Sequence, residues 1–193
     1  YEEVQDIIEG AEHAYREQIM TIHQMASGLR KIRFQKGAIN FRSKEVKIIL
    51  DEYGKPIKAV LKEQKESNHL IEEFMLLANR KVTEWVNLTY GKNLETPPPF
   101  LYRVHDEPSP ERLQKFSDFL QKLGYKLDVK GRKGLSSSLN TLLDDISGKA
   151  EENMIEAIAV RTMAKAVYTP DNIGHYGLGF KYYTHFTSPI RRY

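Results

Sequence analysis

Three consecutive prolines, Pro97-Pro98-Pro99, stand near the middle of this 193-residue chain, and no helix or central strand can run through them. Each lacks a backbone N–H and biases the residue before it toward extended backbone, so Thr96 to Pro99 reads as a stiff spacer. The expectation is two lobes, residues 1–95 and 100–193, joined by that spacer. A hydrophobic fraction of 40% over this length supports a real core, and the absence of cysteine excludes a disulfide scaffold. Apolar stretches such as Ala157 to Val160 fall far short of the roughly 18 residues a membrane span needs. No signal-peptide pattern opens the chain, so no membrane association and a cytoplasmic location are expected. The chain starts at Tyr1 without a methionine and stops on a basic, aromatic cluster, which predicts a piece of a longer protein.

Hydrophobic spacing predicts an α+β fold in which helices pack with a small mixed or antiparallel sheet. Apolar residues at three- and four-residue steps predict a helix over 11–34, ended by Gly37. Ala38 to Phe41 reads as a short strand. Val46, Ile48 and Leu50 alternate toward a turn at 51–56, and 57–61 returns as the partner strand. A helix from Ser67 or Asn68 to about Leu88 is expected to bury Leu70, Phe74, Leu77, Val82 and Trp85, with Glu72, Leu76, Asn79 and Thr83 on another face. After a strand over 100–105, Ser109-Pro110-Glu111 starts a helix stopped at Gly124. Helices over 136–147 and 150–168 follow, with 130–134 as an exposed loop.

Candidate chemistry is sparse over most of the chain. Without cysteine there is no thiol nucleophile or zinc knuckle, and no histidine pair has helical i, i+4 spacing around a glutamate. No Walker-type loop is present, and the acidic doublets are scattered rather than clustered as a two-Mg²⁺ site requires. Glu72-Glu73 stands apart, because neighbours on a helix diverge by about 100°, and the pattern leaves open that one carboxylate enters a polar pocket.

The net charge is only +3, from 29 basic and 26 acidic residues, so any polyanion site must be local. The last 26 residues supply a locality, with seven Tyr or Phe rings, Lys181, Arg191 and Arg192, and Asp171 as the single acid. Rings beside guanidinium groups suit single-stranded nucleic acid, since bases stack on rings while phosphates take arginine forks. The same composition also suits an ordinary packed loop.

His175-Tyr176-Gly177-Leu178-Gly179-Phe180, Tyr183 and Phe186-Thr187-Ser188-Pro189-Ile190-Arg191-Arg192-Tyr193 closely resemble a late motif of the ribonuclease II/ribonuclease R (RNB) family of exoribonucleases. Leu70 to Asn79 resembles the family's central helix, and Gly37 to Phe41 the strand before it. The Arg-Arg pair, the glycine-rich motif and the Ala-Ile-Asn-Phe strand are closer to ribonuclease R than to ribonuclease II. The resemblance implies a partial RNB catalytic domain over 1–193, from a processive 3′ to 5′ exoribonuclease that hydrolyses single-stranded RNA to nucleoside 5′-monophosphates. It also implies that Mg²⁺, held on clustered aspartates, serves the full-length parent, with those ligands and the OB-type RNA-binding domains outside this chain. The chain by itself is then expected to bind no catalytic metal and to be inactive.

Residue by residue, the resemblance makes Arg191 the catalytic arginine on the scissile phosphate, with Arg192 and Ser188 as substrate-contacting neighbours. It places Glu72 by the sugar of the 3′-terminal nucleotide, where a carboxylate favours RNA by accepting from a 2′-hydroxyl. Phe41 matches a ring that stacks on a terminal base, and Tyr1 a tyrosine near the same end of the strand. Two other readings are a non-catalytic RNA-binding relative and a helical interaction module. The second predicts that Tyr176, Phe180 and Tyr183 are buried, with no open basic groove beside Arg191.

Overall fold

A computed structural model of the chain describes residues 1–41, 45–62, 64–90, 99–129 and 131–187. Its elements follow in the order α1 (Glu2–Ile8), α2 (Arg16–Gln35), β1 (Glu45–Leu50), β2 (Pro56–Lys62), α3 (Glu66–Tyr90), β3 (Tyr102–Val104), α4 (Pro110–Lys122), α5 (Gly131–Asp145), α6 (Glu152–Thr162) and β4 (Val167–Thr169). Helices dominate, and the strands form two antiparallel two-stranded sheets, β1-β2 and β3-β4, so the α+β expectation holds. Two compact units emerge, Tyr1–Gly28 with Arg42–Glu73, and Leu29–Phe41 with Phe74–Tyr193. Pro97 and Pro98, on which the expectation of two lobes rests, lie outside the described residues.

In the first unit the hairpin is set by its turn. The Asp51 carboxylate accepts from the N–H groups of Tyr53 (2.9 Å) and Lys55 (2.8 Å), and Gly54 takes the left-handed conformation (φ 78°) that closes the loop. β1 then pairs with β2 from Glu45↔Lys62 to Leu50↔Pro56, with an irregularity at Ile49/Leu50. Elsewhere in this unit the amide of Gln5 bridges α1 to α3, accepting from the Ser67 N–H (3.0 Å) and donating to Glu9 (2.8 Å).

The second unit holds the main core. Leu113, Phe116 and Leu120 of α4 pack with Leu135, Leu139, Leu142 and Leu143 of α5 and Ile155 and Ala159 of α6. Burying such side chains stabilises the fold by about 1.5–3 kcal/mol each. α4 begins where Ser109-Pro110 predicts, with Ser109 Oγ accepting from the Arg112 N–H at 3.3 Å and proline in the first turn.

Three expectations about elements are corrected. Residues 131–134 form the first turn of α5 rather than a loop. α6 ends at Thr162, and Val167–Thr169 turns back to pair with β3, Tyr102 opposite Thr169. Residues 38–41 are in no strand. Asn140 of α5 brackets them instead, with its Oδ1 accepting from the Asn40 N–H (2.9 Å) and its Nδ2 donating to the Ala38 carbonyl (2.8 Å). A side-chain amide thus satisfies backbone that a neighbouring strand would otherwise pair.

Candidate functional site

The face that α3 buries keeps Leu70 as expected and otherwise differs from the expected one. Ser67, Leu70, Glu73, Leu76, Asn79 and Thr83 are buried, whereas Trp85 is 58% exposed. Within the second unit Leu76 packs with Phe180 and Tyr183. Thr83 stays buried because its hydroxyl donates to the Asn79 carbonyl at 2.7 Å. Of the glutamate doublet, Glu73 is the buried member at 3% exposure, and Glu72 is exposed.

Asn79 is a polar residue through which α3 reaches the C-terminal motif. Its Oδ1 accepts from two successive N–H groups, Phe186 at 2.9 Å and Thr187 at 2.8 Å, while its Nδ2 donates to the Tyr183 hydroxyl at 3.3 Å. From the other side, the Arg103 N–H donates to the Tyr183 carbonyl (2.9 Å) and the Thr184 hydroxyl to the Leu101 carbonyl (2.6 Å). The stretch 183–187 is therefore fixed by α3 and by the chain at β3, and it leads directly into Ser188. Ser188, Arg191 and Arg192 themselves lie outside the described residues.

The glycine motif is explained by packing. The Gly177 N–H donates to His105 Nδ1 at 2.9 Å, and a Cβ on Gly177 would stand 2.9 Å from that same nitrogen, so no larger residue fits without moving the ring. Acceptance at Nδ1 puts the proton of neutral His105 on Nε2, which donates to the Ala164 carbonyl at 2.9 Å. Gly179 (φ 67°) is pressed against residues 36–38, where a Cβ would come within 3.1 Å of the Ala38 nitrogen. The Ile39 N–H donates to the Gly177 carbonyl at 2.9 Å, which ties two of the resembling segments together.

Burial sets the protonation of this region. It lowers the pKa of His105, and it pushes His175 down to about 3, helped by the positive charge that His105 would carry beside it. Both imidazoles are neutral near pH 7. Burial, with the Glu107 carboxylate nearby, raises the Tyr176 phenol to about 12 and keeps it protonated.

The aromatic residues sort by burial. Tyr176, Phe180 and Tyr183 are core, which removes them as stacking platforms, whereas Tyr168 and Phe186 are exposed. Phe41 is half-buried against the α4–α5–α6 core. Tyr1 is 68% exposed at the start of α1. Asn79 was legible only as a residue on one face of a helix. Its spacing from the C-terminal motif carries no periodic signal.

Among the described residues no three His, Asp or Glu side chains gather as metal ligands, so these residues do not fit a Mg²⁺ site. Nor is any described helix long and apolar enough to cross a membrane.

Comparison with known proteins agrees with the motif resemblance. The DIS3-like exonuclease 2 of Schizosaccharomyces pombe is 40% identical over 182 residues, covering 91% of this chain and 19% of that protein. Ribonuclease R of Aquifex aeolicus is 36% identical over 165 residues, covering 86% of this chain and 22% of its own. The chain thus spans about a fifth of these relatives. Mycoplasma genitalium RNase R, solved in complex with ribose-methylated single-stranded RNA, superposes with a TM-score of 0.81 at 25% identity over 98% of this chain and 29% of that one. The family model described as the RNB domain matches residues 1–193, and the chain belongs to that family.

Proposed function

We propose that this chain is part of a processive 3′ to 5′ exoribonuclease that degrades single-stranded RNA to nucleoside 5′-monophosphates, contributing the phosphate-contacting Arg191 and part of the RNA channel. Family membership supports the reaction class, and the RNA held by the Mycoplasma relative supports the substrate. The observation that carries the reading is the clamp at Asn79, which fixes residues 183–187 directly before the Ser188-to-Tyr193 motif. A guanidinium that must meet one phosphate needs such a fixed approach.

In the reaction, a water oxygen bonds to the phosphorus of the terminal phosphodiester. The bond from phosphorus to the upstream O3′ breaks, and that oxygen takes a proton. The terminal nucleotide leaves with its 5′-phosphate, and the shortened strand keeps a 3′-hydroxyl. Arg191 stabilises charge growing on the non-bridging oxygens, a contribution of about 3–4 kcal/mol for one well-placed donor. Arg192 and Ser188 contact the neighbouring backbone. Exposed Glu72 meets the terminal ribose 2′-hydroxyl, while Phe41 and Tyr1 contact the terminal nucleotide. The parent's divalent metal is held by residues other than those described.

A second reading, the helical interaction module, draws on one observation, the burial of Tyr176, Phe180 and Tyr183. Incubating the full-length parent with RNA labelled at its 3′ end decides between them. Release of labelled nucleoside 5′-monophosphate as the first product supports the exonuclease, and intact RNA after prolonged incubation contradicts it.

A further inference from the structure

A cleft of about 610 Å³ opens in the second unit where three segments distant in sequence meet. Each brings one exposed cation, with Lys36 following α2, Arg132 in the first turn of α5 and Lys181 following the glycine motif. No aspartate or glutamate is among the residues lining it. Three like charges around one concavity raise its potential and repel one another, an arrangement that an anionic occupant relieves.

The cations are carried on fixed backbone. The Lys36 N–H donates to the carbonyls of Ile32 and Arg33, each at 3.1 Å. The Arg132 carbonyl accepts from the Ser136 hydroxyl at 3.1 Å. Asn172 holds the third segment, donating from Nδ2 to the Lys181 carbonyl (3.0 Å) and accepting at Oδ1 from the Gly174 N–H (3.1 Å). The Arg132 guanidinium lies over the Tyr176 ring, 5.3 Å from its centroid, and Arg132 also borders a neighbouring pocket that holds Glu107. On the same wall Ile173, at 59% exposure, presents an apolar surface.

We propose that this cleft is a second RNA contact, in which Lys36, Arg132 and Lys181 take successive phosphates of one strand while a base lies against Ile173. The proposal rests on the RNA reading above, and it uses none of the residues assigned there to the 3′ end. Repeating anions flanked by apolar faces suit a cleft bordered by three cations and an apolar side chain.

The test measures binding of a labelled 2′-O-methyl oligouridylate to the full-length parent by fluorescence anisotropy over a series of KCl concentrations. The variant carries Lys36→Gln with Lys181→Gln, both exposed positions. The control carries the same charge change outside the cleft, Lys122→Gln with Lys165→Gln. Each lost phosphate contact on a single strand lowers the slope of log K against log salt by about 0.7, so the cleft variant is expected to lose about 1.4 and the control much less. Binding with the wild-type slope in the cleft variant, or equal losses in both variants, overturns the cleft and leaves the RNA reading standing. Failure of the unsubstituted parent to bind the oligonucleotide at any salt overturns both.

Discussion

Asn79 accepts two consecutive backbone N–H groups with one side-chain oxygen, a geometry that neither a hydrophobe nor a longer amide reproduces at the same place. Replacing it with alanine strands those two half-buried donors, at a cost of about 1–3 kcal/mol. The expected result for Asn79→Ala is a lower midpoint in urea and, in the full-length parent, a fall in kcat that exceeds any stability loss at the assay temperature. Asn79→Asp keeps the acceptor and should recover much of the turnover. Equal kcat in wild type and Asn79→Ala contradicts the positioning role. The sequence shows an asparagine on one helix face, and its partners lie more than 100 residues away in chain order, so no local pattern reveals them. The glutamate doublet follows the same logic, since divergence of the two carboxylates was legible but which of them faces inward depends on what packs against α3.

Among elements, those with strong local signals were legible, including the β1–β2 turn at Asp51 and Gly54, the Ser109-Pro110 start of α4 and the apolar stripes of α4 and α5. Elements decided by partners were not. Apolar periodicity alone put Trp85 on the buried face and Leu76 on another, whereas Trp85 is exposed and Leu76 packs with Phe180 and Tyr183. Residues 38–41 have strand-like composition but are satisfied by Asn140 and Gly177.

The loop carrying the glycine motif gives a pH prediction at this same scale. His175 titrates at about 3 in the folded chain against its ordinary 6.5, so between those values the unfolded chain binds more protons. Stability should therefore fall as pH drops from about 6.5 toward 3, and the lowered pKa of His105 adds to the fall. His175→Asn, which retains an acceptor for the Leu178 N–H, should show a shallower loss in urea unfolding at pH 7, 5.5 and 4. An unchanged pH slope contradicts a half-buried neutral imidazole at this position.

For the molecule as a whole, a net charge of +3 conceals a local arrangement, in which cations from three distant segments line one acid-free cleft while most acids lie elsewhere. The resembling segments are also brought together in space. Residues 37–41 meet the glycine motif, and α3 meets the approach to Ser188. On the proposed reading, the stretch held by Asn79 leads to an Arg191 that meets the scissile phosphate. Single-turnover hydrolysis of 3′-labelled RNA by the full-length parent carrying Arg191→Ala tests it most directly, alongside anisotropy on 2′-O-methyl RNA. Cleavage is expected to slow by about 10²–10³-fold with binding nearly unchanged, and cleavage at the wild-type rate rules out this role for Arg191.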